Sequence, residues 1–370
     1  MVNEICVISG IYPPDSGGPA KFASTFTNWV PKNKTKVSII TLTDKPSQVV
    51  YSENIEIRKI TRKQNIIIRY FITAFYIHKK LKSGSKIIAN GCFIETWLAS
   101  KLTKRKFLAK VPGDIVWERA SNKGLTNLSI QEFQNIKLNI KYKLFRYLYS
   151  TSLRHASHVI VPTKELKNFC IGWGVAPSNI SVIYNSVSVD LFKPIPMEKK
   201  YDLITVSRLV SWKNIDEIIQ VCCDLSLSLA IVGDGPERIK LECLATSLKA
   251  PVKFCGNVLQ RDLPEYLNSA RIFILNSSYE ASSYALLEAR ACGLISIAKS
   301  KTGSEEVIRD NIDGFLIDKS IGRDLKKCLN EIYQDNFNFS SFSRSAIDRT
   351  NKYFSMSNNY KKIYRLILGN

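Results

Sequence analysis

Short apolar runs punctuate this chain, and most lead through a polar loop into a stretch with helical spacing. Ile5-Cys-Val-Ile-Ser9 is the first and predicts a buried strand. Gly10 to Gly18 follows, a loop with three glycines and two prolines, and Pro19–Trp29 predicts a helix with proline near its first position. Lys36–Leu42 and Asn54–Ile60 predict further strands, and Arg62–Lys82 a basic, aromatic, amphipathic helix. Lys86–Asn90 and Lys106–Val111 read as strands arriving after helices. Pro112-Gly113-Asp114 makes a turn, and Ile115–Thr126 reads as a long functional loop carrying Trp117, Glu118 and Arg119. Gln131–His155 reads as one long helix. His158–Val161 and Ile180–Ile183 predict short strands around a helix at Thr163–Ile171.

The pattern then restarts. Phe192–Lys200, rich in proline and charge, reads as a linker. Beyond it the strands are Asp202–Val206, Ser228–Val232, Val252–Cys255, Ile272–Leu275 and Ile295–Ala298. The helices between them are Asn214–Cys222, Pro236–Leu248, Leu263–Asn268 and Tyr284–Ala291. An irregular segment and two amphipathic helices finish the chain. Strands alternating with helices predict a parallel sheet covered on both faces. Occurring twice, the pattern predicts an α/β protein of two doubly wound, Rossmann-like domains facing a central cleft, at residues 1–192 and 193–355, with a last helix at 356–370. Ligands in such sheets bind outside the carboxyl ends of the strands.

Composition narrows the class. At 370 residues the chain is long enough for about two domains, and no apolar run reaches 18 residues, so no transmembrane helix is predicted. The start lacks the basic and apolar regions of a signal peptide. Nine cysteines without framework spacing read as reduced structural thiols in a cytoplasmic protein, and three histidines give little material for a metal site. The net charge of +21 is uneven: 28 Lys and Arg stand against 11 Asp and Glu up to Asp190, and 25 against 21 afterwards. A basic first half implies an anionic partner or simply a basic proteome. Arg62–Lys82 and Gln131–His155 are the candidate contacts with an anionic membrane surface or an acceptor, the alternative being solvated faces of core helices.

The candidate chemistry concentrates in the second half. In Asn276–Gly293, Glu280 precedes a predicted helix start and Glu288 lies in its second turn, with Ser282 and Ser283 as candidate caps. A helix start between two carboxylates suits a ligand with both phosphate and hydroxyls, such as a sugar nucleotide, and an ordinary amphipathic helix with solvated acids equally matches the stretch alone. Arg208 and Lys213 follow a strand, where a guanidinium grips phosphate bidentately and an ammonium adds a compact charge. Gly233-Asp-Gly-Pro236 makes a tight turn into a helix. Phe254–Val258 ends a strand where a flat base could pack, and Thr302–Glu306 is another small-residue turn.

Together these residues resemble a family 4 glycosyltransferase of the GT-B fold, most strongly from Val206 to Asp318. The carriers are Arg208 with Lys213, Gly233-Asp234-Gly235-Pro236, Glu280 and Glu288 eight positions apart, Ala-Cys-Gly at 291–293 and Asp313-Gly314-Phe315, with weaker support from Gly17-Gly18 and from Tyr184–Pro194. The resemblance implies a retaining transferase of hexosyl type that uses a UDP- or GDP-linked sugar as co-substrate, without a cofactor or an essential metal. It assigns Glu280 to the donor sugar hydroxyls, Glu288 to the ribose, and Arg208 and Lys213 to the departing diphosphate. Gly17, Gly18, Gly233, Val258, Ser282, Ser283, Tyr284 and Ala285 complete the implied donor site. Asp114 and, behind it, Trp117 are the candidate acceptor contacts. The last helix commonly returns to the first domain in this fold.

The departures are local. Ala281 and Ser283 stand where the family pattern has glycine, Leu294 where it has proline, Ser186 where it has glycine, and Gly113-Asp114 where it has an acceptor-side histidine. The function expected is transfer of a sugar onto a glycan or lipid-pyrophosphate acceptor in surface-polysaccharide synthesis, in the cytoplasm or at its membrane face. The alternatives are a nucleotide-sugar epimerase and a non-catalytic binding subunit. Nucleic acid is not an expected partner, because no recognised module is present.

Overall fold

The computed structural model describes residues 3–369 except 16, 32, 34, 53, 54, 127, 319, 320, 335 and 336. Ser16 of the glycine loop and Asn54, read above as the start of a strand, lie outside the described residues. The chain divides into two compact units, Met1–Tyr184 with Tyr360–Asn370, and Asn185–Asn359.

In the first unit one sheet contains β1 (Asn3–Ser9), β2 (Thr35–Thr43), β3 (Gln48–Ser52), β4 (Ile55–Thr61), β5 (Lys86–Asn90), β6 (Leu108–Lys110), β7 (His158–Val161) and β8 (Ile180–Val182). The order is β3-β4-β2-β1-β5-β6-β7-β8, and only the β3–β4 pair is antiparallel. Ile5 to Ile8 are completely buried. A central strand covered on both faces selects a continuous apolar run rather than an alternating one, which is why it was legible. The edge strand β3 was not predicted: its apolar stretch Val49–Tyr51 is only three residues long, and Val49 and Tyr51 are exposed at the edge of the sheet.

Three further predictions are corrected. Ile115–Thr126 is not a loop, since Ile115–Asn122 is helical, started by Asp114, whose Oδ1 accepts from the N–H groups of Val116 and Trp117 at 2.9 and 3.2 Å. The predicted helix Gln131–His155 is broken. Ser129 and Glu132 form a capping box on the short helix Ile130–Phe133, and Asn139 caps a second helix, Ile140–His155, through the N–H of Tyr142. Two capping side chains ten residues apart compete with a continuous helix. The amphipathic helix predicted from Arg62 begins at Ile66 because Asn65 accepts from the N–H of Ile67 at 2.8 Å.

The tips of β1 and β5 diverge to opposite sides, a topological switch point. A Cβ on Gly91, at φ +148, would lie 2.8 Å from the Gly10 nitrogen, so the tips approach only because glycine is there. Arg62 clasps the loop that follows β1. It donates to Gly10 O at 2.9 Å and Leu42 O at 3.2 Å, and pairs with Asp15 at 2.6 Å and Asp44 at 3.1 Å. Tyr360, on the last helix Met356–Leu368, packs edge-on against Phe22 and Phe26 of the helix Gly18–Trp29.

The second unit holds β9 (Tyr201–Val206), β10 (Leu229–Val232), β11 (Val252–Gly256), β12 (Ala270–Leu275), β13 (Ile295–Lys299) and β14 (Phe315–Ile317). They form a fully parallel sheet in the order β11-β10-β9-β12-β13-β14. The short β14 lies in the segment read as irregular. Three helices rather than two finish the chain, Ile321–Ile332, Phe339–Phe354 and Met356–Leu368, because Ser355 is extended and bridges Val187. No helix among the described residues is long and apolar enough to cross a membrane.

The helix Tyr284–Ala291 is locked by a buried ion pair. Arg290 donates to Asp313 O at 2.6 Å and to its Oδ1 at 2.8 Å, both side chains are 0% exposed, and Arg309 Nε meets Asp313 Oδ2 at 2.6 Å. Removing one partner of such a pair strands the other charge out of water, at about 3–5 kcal/mol. Asp313→Ala is therefore expected to lose about that much stability in chemical denaturation of the full chain. The double variant Arg290→Met with Asp313→Leu is expected to recover part of it. A loss below about 1 kcal/mol in the single variant would refute this reading of the pair.

Candidate active site

β9 is flanked by β10 on one side and β12 on the other, so the loops after β9 and β12 part company at a switch point. Two asparagines tie them together. Asn214 Nδ2 donates to Asn276 O at 2.9 Å and to Ser278 Oγ at 2.8 Å. Asn276 Nδ2 donates to Asn214 O at 2.9 Å and to Glu217 Oε2 at 2.8 Å. Asn214 sits at φ +47, a left-handed conformation that asparagine tolerates better than most residues. That turn ends the short 3-10 segment Ser211–Lys213 and starts the helix Ile215–Leu225.

The tie brings two predicted residues into contact. Lys213 Nζ donates to Glu280 Oε2 at 2.6 Å and to Ser277 Oγ at 3.1 Å. Both charged side chains are mostly buried, at 16% and 18% exposed, where charges interact more strongly than in bulk water. Arg208, at the tip of β9, is exposed, and among the described residues no acid pairs with its guanidinium. Its loop rests on two glycines: a Cβ on Gly233 would lie 1.9 Å from Ser207 O, and one on Gly235 would lie 2.2 Å from Leu209 O. Leu209 N donates to Asp234 O at 3.0 Å, which stitches the two loops together.

Ser283 caps the helix Tyr284–Ala291, accepting from the N–H of Leu286 at 3.3 Å. The first-turn N–H groups of Tyr284 and Ala285 have no carbonyl four residues back within the helix. Ser282 is not a cap. Its carbonyl accepts from Asn185 Nδ2 at 3.0 Å, and its hydroxyl is buried without a partner. Tyr284 donates to Asn185 Oδ1 at 3.3 Å. Glu288 is only 2% exposed and accepts from Gln260 Nε2 at 2.6 Å. Gln260 comes from the loop after β11 that also carries the half-buried Val258. The Glu280 loop rests on the Thr302–Glu306 turn: Gly303 N donates to Glu280 O at 2.7 Å, and a Cβ there would lie 1.8 Å from Ala281 O.

The result is a cation and a carboxylate in contact, an exposed guanidinium on the same loop as that cation, a capped helix start and a second, enclosed carboxylate. Such a set can hold a ligand that carries phosphate and hydroxyls together. Ser277, Asn214, Asn276 and Gln260 were not singled out from the sequence. Asparagine beside a charged residue at a strand end was the signal available. Among the described residues, no group of three or more His, Cys, Asp or Glu side chains is arranged to hold a metal ion.

The remaining predicted residues lie in the first unit. Gly17, at φ +142, precedes the helix that Gly18 opens. Asp114 is completely buried: besides capping its helix it accepts from Gln134 Nε2 at 2.9 Å and pairs with Arg146 at 2.5 Å. Trp117 is also buried, with Nε1 donating to Leu128 O at 3.0 Å. Both act as local anchors here.

The model of Glycosyltransferase Family 4 matches residues 16–191, and that of Glycosyl transferases group 1 matches residues 189–352. The chain is 27% identical over 201 residues to the phosphatidylinositol N-acetylglucosaminyltransferase gpi3 subunit of Schizosaccharomyces pombe, covering 51% of this chain and 43% of that protein. It is 24% identical over 330 residues to the amylovoran biosynthesis glycosyltransferase AmsD of Erwinia amylovora, covering 86% of each. It is 24% identical over 316 residues to N,N'-diacetylbacillosaminyl-diphospho-undecaprenol alpha-1,3-N-acetylgalactosaminyltransferase of Campylobacter jejuni, covering 80% of this chain and 81% of that one. For several other curated relatives, as for the yeast protein, the chain spans less than two thirds of their length. The solved structure of Anabaena HepE with UDP and glucose aligns over 100% of both chains at a TM-score of 0.79 and 17% identity, which places this chain in the GT-B fold. Matched by the two models in succession from residue 16 to residue 352, the chain belongs to the family 4 glycosyltransferases.

Proposed function

We propose that this glycosyltransferase is a retaining hexosyltransferase of the cytoplasm. It takes a sugar from a UDP- or GDP-linked donor and delivers it to a glycan or a lipid-pyrophosphate acceptor in surface-polysaccharide assembly. The observation that carries the reading is the Lys213–Glu280 contact at the β9–β12 switch point, with Arg208 exposed on the same loop as Lys213 and facing no acid partner among the described residues. Sugar transfer from a nucleotide sugar builds negative charge on the leaving diphosphate. Fixed cations aimed at that charge lower the barrier most where water is largely excluded. Lys213 is already held in place by Glu280 and Ser277, so it needs little reorganisation when charge develops. Glu280 offers its other oxygen to hydroxyls of the donor sugar. Glu288 and the start of its helix take the ribose and a phosphate, the family roles of these positions.

The named relatives support the acceptor class. One carries diphospho-undecaprenol in its name, one phosphatidylinositol and one the biosynthesis of amylovoran. Two of the three names therefore contain a phosphate-linked lipid. A fold neighbour was solved with UDP and glucose, which favours a UDP donor. Arg208 and Lys213, the latter partly offset by Glu280, take on this reading the charge-neutralising place that a metal would otherwise fill.

Glu280→Ala and Arg208→Ala are each expected to lower turnover of the preferred nucleotide sugar by about 10²–10³-fold, the usual size for losing one transition-state contact. Turnover is read with labelled donors against a panel of lipid-linked acceptors, and unchanged melting temperatures show that the variants fold. If both variants stay within fivefold of the parent, the residue assignment is wrong. Excess EDTA is expected to leave turnover within twofold. A large loss that added Mg²⁺ or Mn²⁺ restores would instead establish a metal requirement.

A further inference from the structure

The first unit has a surface feature that the transfer chemistry does not use. Between the helices Ile66–Lys82 and Ile140–His155 runs an open groove of about 320 Å³, lined by Ile66, Ile67, Tyr70, Leu144, Phe145 and Leu148. That volume lies in the usual range for small-molecule sites. Its rim is apolar beyond the groove itself: Ile68 is 54% exposed, Phe71 66% and Ile140 87%. A contiguous exposed apolar patch of this kind marks a binding surface rather than chance exposure.

Cations outnumber acids around it, although Lys80 is paired with Glu4 and Glu56 and Arg146 with Asp114. Each of the two helices carries four Lys or Arg and no Asp or Glu, and Lys141 lines the groove itself. At one side the groove becomes polar. The Arg119 guanidinium lies 4.3 Å above the ring of Phe145 and close to the Tyr70 hydroxyl, and the Arg69 Nε is buried without a hydrogen-bond partner. The acid in this neighbourhood, Glu95, is deeply enclosed, and burial pushes its carboxyl up to about 6 against the pull of Arg69 and Arg119. The feature therefore joins a hydrocarbon trough to a guanidinium cluster. A protein partner would need buried acids to match these cations. An alkyl or prenyl chain ending in phosphate matches both parts at once.

We propose that this groove holds the hydrocarbon chain of a lipid-phosphate acceptor, with Arg119 and Arg69 meeting its phosphate. This rests on the transfer reading for the lipid's role as acceptor, but the groove can be tested without turnover. The probe is geranylgeranyl phosphate, titrated below its micelle concentration into the full chain, with geranylgeraniol, inorganic phosphate and phosphatidylglycerol vesicles alongside. UDP and GDP are titrated separately. The prenyl phosphate is expected to bind at least tenfold more tightly than either the alcohol or inorganic phosphate. The double variant Ile67→Gln with Leu144→Gln, at positions 62% and 57% exposed, is expected to weaken it at least tenfold while leaving nucleotide affinity unchanged. Arg119→Gln is expected to remove most of the preference for phosphate over alcohol. Absence of prenyl-phosphate binding overturns the proposal, as does binding that survives the double variant or that vesicles lacking prenyl phosphate match. Prenyl-phosphate binding without binding of either nucleotide upholds the groove and defeats the transfer reading instead.

Discussion

The loops after β9 and β12 leave a parallel sheet in opposite directions, and beyond the sheet a single main-chain hydrogen bond among the described residues, Ser278 N to Trp212 O at 2.8 Å, joins them. The candidate active site depends on solving that problem. Asn214 and Asn276 solve it reciprocally, each amide donating to the other residue's carbonyl and to one further oxygen. Each bond is worth only about 1 kcal/mol net, so the tie contributes placement more than stability. Its effect is that Lys213 and Glu280, 67 positions apart, meet at 2.6 Å without either loop bearing the whole entropy cost of ordering a long side chain.

Close backbone approach does the rest. Gly233 and Gly235 lie against Ser207 O and Leu209 O, and Gly303 lies under Ala281 O, at distances where no Cβ fits. This nesting also accounts for the departures from the family pattern. Ala281 and Ser283 replace glycines, yet neither has a positive φ, and Ser283 serves as a helix cap at φ −76. The steric demand at this loop falls on Gly303, in the turn beneath. Substitution at 281 and 283 therefore changes which side chains line the loop and leaves its backbone path intact.

How much was legible follows from the same physics. Buried parallel strands announce themselves as continuous apolar runs, so the sequence order of β1, β5, β9, β10 and β12 could be read directly, and the helix at Tyr284–Ala291 was placed to the residue. Edge strands with exposed side chains, β3 above all, leave no such mark. Helix starts were missed where a polar side chain overrides local periodicity, as Asn65, Asp114 and Asn139 do. The charged residues of the site could be named because charge at a strand end is conspicuous. The residues that position them, Asn214, Asn276, Gln260 and Ser277, could not, because an amide or hydroxyl acquires its role only from what lies opposite it in space. Asp114 shows the converse: conspicuous in a turn, it is consumed by a helix cap and the Arg146 pair.

Under the proposed function the two units meet anions by different physics, in keeping with the uneven charge of the chain. In the second unit the key cation is mostly buried, which limits screening by salt, and its pairing with Glu280 fixes its position. Such a cation suits a step in which charge must be met at one atom. The first unit instead carries Lys and Arg on two half-buried helices beside an apolar groove, with only Lys80 and Arg146 of these paired to acids among the described residues. Exposed charges are weak individually and screened by salt, so they raise the local concentration of an anionic ligand more than they orient it. Orientation there must come from the groove, because burial of a hydrocarbon chain is worth about 0.8 kcal/mol per CH₂ and rises with every carbon seated. A net charge concentrated in the first half therefore fits the proposed division of labour, one half fixing a reacting phosphate and the other gathering a long amphipathic molecule.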